Sequence, residues 1–110
     1  MPRKLDHLQG SLDLIILKTL DAGPNHGFGI TLHIETVSEG LLNVEEGSLY
    51  PALHRLERDL LIAGEWTVTE NQRRARVYRI TDAGRTRLAE AAENWKNVNK
   101  GITKMFRYAV

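Results

Sequence analysis

The stretch Gly47–Glu57, which reads GSLYPALHRLE, decides how the chain is interpreted. Its leucines recur at spacings of three and four, which places them along one side of an α-helix. The opposite side carries small and polar groups instead of the long charged side chains that usually cover the solvent face of a core helix. Hydroxyl, imidazole and guanidinium groups hydrogen-bond phosphates and base edges, so this side is typical of a helix that enters the major groove of DNA. The predicted buried stripe is Leu49, Leu53, Leu56 and Leu60, and the predicted outer face is Gly47, Ser48, Tyr50, Pro51, His54, Arg55 and Arg58.

Composition narrows the class of protein. The chain has 110 residues, of which 42% are hydrophobic and 26% charged, and these values predict one small globular domain. No cysteine occurs and the four histidines show no metal-ligand spacing, so we expect neither a metal nor another cofactor. Motifs of catalysis are also missing, which argues against an enzyme. No apolar run reaches the roughly 18 residues of a membrane span, and we expect a cytoplasmic protein with no membrane partner.

Two further helices precede the quoted stretch. Apolar periodicity predicts a first helix over Leu8–Asp21 and a second over His26–Ser38, separated by Gly23 and Pro24. Asn43 lies three residues before Glu46, which resembles a capping box that starts the third helix and lets it run to about Asp59. The residues expected to be buried in the second helix are Phe28, Leu32, Ile34 and Val37.

After Gly64 the pattern changes to a β-hairpin. Two short β-rich runs around Trp66 and Tyr78 flank a polar connection, with Tyr78 and Ile80 expected to face inward. Thr81 is expected to cap a following helix. Although the net charge is only +1, four arginines with no acid among them concentrate at this hairpin, which favours contact with phosphates. They are Arg73, Arg74, Arg76 and Arg79.

The last helix carries an apolar seam in heptad spacing, and its length of roughly 40 Å is too great to bury against so small a body. A second copy of the chain is the natural cover, which predicts a two-fold homodimer. Packing against the chain's own first helix is the alternative for part of the seam. In a dimer, residues of the first helix also pack against the partner's last helix. The predicted dimerisation residues are Leu8, Leu12, Ile15, Leu88, Ala91, Trp95, Val98, Ile102 and Met105.

Together these elements predict a mainly α fold with a small β-hairpin wing. This is a winged helix-turn-helix domain in residues 1–80, followed by a long C-terminal dimerisation helix in residues 81–110. Such a fold serves DNA binding. The alternative is a winged-helix module for protein–protein interaction without DNA binding.

At this point the residues resemble a known family, the PadR-like transcriptional regulators. The resemblance rests on Gly47–Glu57, on His26–Ile30 (HGFGI) and on Tyr78–Thr81 (YRIT), and it extends from about Gln9 to Met105. The short length and single C-terminal helix are similar to the acidobacterial-type branch. Two departures occur. The wing tip, Arg73–Val77, has neither the glycine nor the proline often found there, and Phe28 replaces a frequent tyrosine.

The resemblance implies a homodimeric, sequence-specific DNA-binding regulator, most often a repressor, on a pseudo-palindromic operator in double-stranded DNA. The third helix would enter the major groove, and the wing would touch the backbone or the minor groove. Carried over residue by residue, base or phosphate contacts fall to Ser48, Tyr50, His54 and Arg55, and wing contacts to Arg73, Arg74 and Arg76.

A second implication concerns a small-molecule effector. Glu93–Val98 is similar to a stretch of the multidrug-responsive PadR branch, in which paired tryptophans hold flat aromatic compounds at the dimer centre. The resemblance therefore implies binding of a small planar aromatic effector at the dimer interface; packing is the usual role of a tryptophan on such a seam. The implied residues are Leu14, Lys18, Ala91, Trp95 and Asn99.

Overall fold

The computed structural model describes residues 4–108, with side chains from residue 11 onward. Within that range the chain forms four helices and three strands, which confirms the predicted mainly α fold with a hairpin wing and a long C-terminal helix. No helix among these residues is both long and apolar enough to cross a membrane. The elements are α1 (Lys4–Asp21), β1 (Asn25–His26), α2 (Gly27–Val37), α3 (Glu46–Arg58), β2 (Ile62–Val68), β3 (Arg74–Ile80) and α4 (Asp82–Arg107).

The core lies where α1, α2 and α3 meet the base of the sheet. On α3, Leu49, Leu53 and Leu56 are almost fully buried, as the spacing of three and four predicts. Their burial turns the other side of α3 outward. The rest of the core comprises Ile16, Leu17, Leu20, Ile30, Ile34, Ala52, Leu61, Ile62, Tyr78 and Ile80.

The sheet is antiparallel in the order β1-β3-β2. Strands β2 and β3 form the predicted hairpin, in register from Ile62 opposite Ile80 to Val68 opposite Arg74. Tyr78 and Ile80 face the core, as predicted. Strand β1, which pairs with β3, was not predicted, because a two-residue strand is too short to show an alternating pattern.

Side-chain caps begin two of the helices. The Nδ1 atom of His26 accepts a hydrogen bond from the Gly29 N–H at 3.1 Å, and the Thr81 hydroxyl accepts one from the Gly84 N–H at 3.0 Å. The second bond confirms the predicted cap of α4. The expected capping box at Asn43 is wrong: α3 begins after Glu45, which makes no side-chain cap bond.

Four residues expected to be buried are exposed. Helix α2 turns Gly27, Ile30 and Ile34 to the core, so Phe28 (64% exposed), Leu32 (51%) and Val37 (67%) point to solvent. Several faces of this short helix are apolar, and of the four residues predicted to be buried in it the prediction is confirmed only for Ile34. Leu60 lies just after the end of α3 with a φ of 63°, which takes it off the helical stripe and leaves it 73% exposed.

Helix α4 packs against α1 and against β3 at its start. Leu88 and Ala91 are partly buried, whereas Trp95, Val98, Ile102 and Met105 are exposed in the single chain. Leu12 and Ile15 of α1 are partly buried beside the core. Leu8, also expected in the dimer interface, lies outside the residues whose side chains are described. The exposed stripe on α4 is what the predicted dimer would cover.

Gly84 sets how closely α4 can approach the sheet. A Cβ atom at this position would lie 2.1 Å from the Leu61 carbonyl oxygen, so alanine would force the helix away from the backbone just before β2. We expect Gly84→Ala to lower the free energy of unfolding by about 1–3 kcal/mol, the usual cost of overpacking. Urea denaturation followed by circular dichroism measures this difference.

The matched control is Gly101→Ala in the same helix. Apart from its two chain neighbours and the backbone of its own helix, no atom of the described residues lies within 4 Å of a Cβ at that position. Because alanine favours the helix over glycine by about 1 kcal/mol, this variant should be at least as stable as the parent. Equal stability of the two variants would contradict the close approach at Gly84.

Candidate nucleic-acid interface

The outer face of α3 is a shallow concavity. Pro51 lies within the helix, which nevertheless runs unbroken over Glu46–Arg58. Ser48 and His54 are exposed, and the side chain of His54 makes no hydrogen bond or ion pair with other described residues. We call the outer face of α3, which includes Ser48 and His54, the reader face. The residues that line the concavity are Tyr50, Pro51, His54, Arg55 and Arg58.

Tyr50 lies between the reader face and α2. Its hydroxyl oxygen would stand 2.6 Å from a Cβ atom at Gly27, so only glycine permits this contact. The side chain is nevertheless 40% exposed. The ring thus helps to hold α3 against the start of α2 while part of it stays open to a ligand.

Arg55 is partly buried and paired with a carboxylate of α1. One of its terminal nitrogens donates to an Asp13 carboxylate oxygen at 2.6 Å, and both side chains are about three-quarters buried. Asp13 is on α1, 42 residues away in sequence, and no local pattern could have indicated the pair. The arginine that sequence reasoning placed in a groove is therefore paired with a carboxylate in this structure.

The wing arginines fall into two groups. Arg73 and Arg74 are exposed at the tip, and the Arg73 side chain pairs with no other described residue. Arg76 forms a short ion pair with Glu57 of α3, and that hydrogen bond raises the pKa of the guanidinium. The ion pair therefore brings Arg76 of the wing against the C-terminal half of α3.

Trp66 lies between the wing arginines. The guanidinium carbon of Arg74 is 4.7 Å from the centroid of its ring, and that of Arg76 is 5.4 Å away. Sequence reasoning treated Trp66 only as a strand residue and did not consider Glu57. The hairpin register could have indicated the contact between Trp66 and Arg76, because these two residues are directly opposite each other.

The wing tip closes without glycine or proline. Thr69 and Arg73 are joined by a backbone hydrogen bond of 2.8 Å, and the Thr69 hydroxyl accepts a further bond from the Arg73 N–H. Gln72 takes the left-handed conformation, with a φ of 59°, that a glycine would otherwise provide. The tip is thus a hydrogen-bonded turn that carries Arg73 and leads into Arg74 at the start of β3.

The residues expected to bind an effector lie on two helices that pack together. Leu14 and Lys18 are on α1, and Ala91, Trp95 and Asn99 are on α4. Trp95 is 50% exposed in the single chain, so a partner or a ligand can reach it. Among the described residues, no three histidine, aspartate or glutamate side chains gather as a metal site would require.

Most of the chain matches a known protein family. The model of the Transcriptional regulator PadR-like family matches residues 16–90. The Transcriptional regulator Rv3488 of Mycobacterium tuberculosis is 45% identical over 65 residues, which are 59% of this chain and 57% of that protein.

Solved structures agree with this match. A transcriptional regulator from Clostridium thermocellum superposes with a TM-score of 0.81 at 32% identity, over 90% of this chain and 96% of that one. A PadR family regulator from Eggerthella lenta gives a TM-score of 0.76 at 27% identity, over 96% and 89% of the two chains.

Proposed function

Because the chain belongs to the PadR-like family of transcriptional regulators, we propose that it binds a pseudo-palindromic operator as a homodimer and represses transcription. Its family is one of regulators and not of enzymes, which confirms the expectation that no catalysis is involved. A protein with this role acts on the chromosome, and we place it in the cytoplasm. The operator contacts come from the reader face in the major groove and from the wing on the backbone or in the minor groove.

One observation carries this proposal: an ion pair attaches the wing to the helix that carries the reader face. The Arg76–Glu57 ion pair joins the wing to the C-terminal end of α3, the helix that also carries Ser48 and His54. Helix and wing in this arrangement can engage a groove and the neighbouring phosphates together. Ser48, Tyr50, His54 and Arg55 supply the groove contacts, and Arg73, Arg74 and Arg76 stand at the wing.

The dimer follows from the apolar stripe on α4. Trp95 (50% exposed), Val98 (40%) and Ile102 (50%) lie one helical turn apart, and Met105 continues the row. A second copy that lays its own α4 and α1 along this stripe would remove it from water. A two-fold axis there would give two reader faces, which can enter major grooves separated by about 34 Å.

An effector site at the dimer centre is part of the proposal. Trp95 of each copy would stand near the axis, with Leu14, Lys18, Ala91 and Asn99 around it, and a planar aromatic compound would fit between two indole rings. Such a ligand regulates DNA binding only if it favours one spacing of the two reader faces over another.

Selection of duplexes from a random pool tests the central claim. We expect a palindromic consensus with half-sites centred about 10 base pairs apart, since the two-fold protein imposes its symmetry on the DNA. Sedimentation should give a dimer. A well-folded monomer at high concentration, or a selection without any consensus, would refute this role, and the latter result would favour a protein-interaction module.

The Arg55–Asp13 pair gives a second prediction. If Arg55 must approach DNA, the Asp13 carboxylate competes with the phosphates for the same guanidinium. Asp13→Asn keeps a hydrogen-bond acceptor and removes the charge, so we expect several-fold tighter operator binding at low salt. Fluorescence anisotropy measures the Kd, and Asp21→Asn, on the same helix but paired with Arg85, is the control. Weaker binding by Asp13→Asn would mean that the carboxylate holds Arg55 in its DNA-binding position.

Tryptophan fluorescence tests the effector site. In a Trp66→Phe chain, Trp95 is the sole tryptophan, because the sequence contains two. Planar cationic dyes that stack on its ring should quench the emission and do so in a saturable way. Emission that stays constant across a panel of such dyes would argue against an effector site at Trp95.

A further inference from the structure

Four side chains, those of Tyr78, Arg76, Trp66 and Arg74, form a row of contacts along one face of the wing, from the core toward the tip. The register places Gly64, Trp66 and Val68 of β2 opposite Tyr78, Arg76 and Arg74 of β3, and all six share a face because side chains alternate along strands. Tyr78 is buried, Arg76 is partly buried and Arg74 is exposed, so the row passes from the interior into solvent.

The contacts along this row are cation–π contacts. The Arg76 guanidinium carbon lies 5.9 Å from the Tyr78 ring centroid and 5.4 Å from that of Trp66. Arg74 lies on the same indole ring at 4.7 Å. Both distances to Trp66 are within the range in which a guanidinium is attracted to an aromatic ring. Trp66 therefore contacts two cations at once.

Arg76 is the inner, anchored member. Its charge is balanced by Glu57, and its side chain crosses Gly64 so closely that a Cβ there would lie 2.7 Å from the Arg76 Nε. The arginine is 29% exposed. Arg76 fixes the ring of Trp66 relative to α3. Because the Glu57 carboxylate neutralises its charge locally, Arg76 attracts a phosphate only weakly.

Arg74 is the outer member, and its side chain has no carboxylate partner among the described residues. Stacking on Trp66 restricts the rotamers of this long side chain before any ligand arrives. A guanidinium restricted in this way loses less conformational entropy when it binds, which strengthens binding without a new contact.

We propose that Trp66 is the positioning residue of the wing: it holds Arg74 toward a DNA phosphate, while Arg76 and Glu57 anchor the ring to α3. This inference rests on the proposed function and deepens it. It divides the wing arginines into an anchor, Arg76, and a DNA contact, Arg74, where sequence reasoning treated them alike.

The test compares Trp66→Ala, Trp66→Tyr and Val68→Ala on the operator recovered by selection. Without Trp66, the Arg74 side chain of each subunit must be ordered on binding, and this entropic cost should weaken operator binding about 5- to 150-fold for Trp66→Ala. Tyrosine keeps an aromatic face and should restore most of the affinity. Val68, 70% exposed on the same face and opposite Arg74, is the matched control and should bind like the parent. Thermal unfolding of each variant shows whether the fold is intact.

A double-mutant cycle with Arg74→Ala separates positioning from direct contact. Arg74→Ala should weaken binding and lower the salt slope by about two, one phosphate for each wing. If Trp66 acts through Arg74, then Trp66→Ala has little further effect in the Arg74→Ala background. Equal effects in both backgrounds would show that Trp66 touches DNA itself and would overturn the inference.

The two levels of the proposal fail differently. A parent protein that binds no duplex removes both the function and the role of Trp66. A parent that binds its operator tightly, together with a Trp66→Ala variant that binds equally well, removes only the role of Trp66 and leaves the proposed regulator intact.

Discussion

The fixed orientation of α3 about its own axis is the constraint on which the rest of the molecule depends. Leu49, Leu53 and Leu56 are each no more than 1% exposed. Burial of one such leucine contributes about 1.5–3 kcal/mol to the free energy of folding. Any turn of the helix would expose one of them. The same burial therefore decides which residues face outward, and it directs His54 toward the surface. A hydrophobic interaction with no preference of its own for DNA thus sets the orientation of the reader face.

The same orientation also places Glu57 against the wing. Glu57 follows the buried Leu56 and reaches Arg76 on β3, so the hairpin is oriented by the helix as well as by its own hydrogen bonds. Tyr78, buried beneath this pair, has its pKa raised by desolvation, which marks the inner end of the row as apolar. A wing attached only through its strands would be free to twist, because two-stranded ribbons twist readily. The ion pair at Glu57 and the stacking on Trp66 oppose that motion from one side.

Sequence patterns predicted those parts of the fold that are determined by residues close together in the sequence. The burial of Leu49, Leu53 and Leu56 on α3, the inward Tyr78 and Ile80, and the Thr81 cap are confirmed, because each depends on residues within about one turn or one strand. The errors have the opposite character. Helix α2 is apolar on more than one side, so only its neighbours decide that Ile30 is buried and Phe28 is not. The Asp13–Arg55 pair joins residues 42 positions apart, and the Trp66 stack requires the hairpin register. No single-sequence periodicity contains that information.

These long-range contacts link the two ends of the proposed mechanism. Helix α1 carries Asp13, which holds Arg55 on the reader face, and also Leu14 and Lys18, which we propose to stand at the dimer centre. Successive residues of a helix differ by about 100° in direction, so Asp13 and Leu14 point to different neighbours on one rigid element. A shift of α1 that follows a change at the dimer centre would therefore move the carboxylate that restrains Arg55. An effector on one side of this helix and DNA on the other would then compete or cooperate through its position, which is a physical route for regulation without contact between the two ligands.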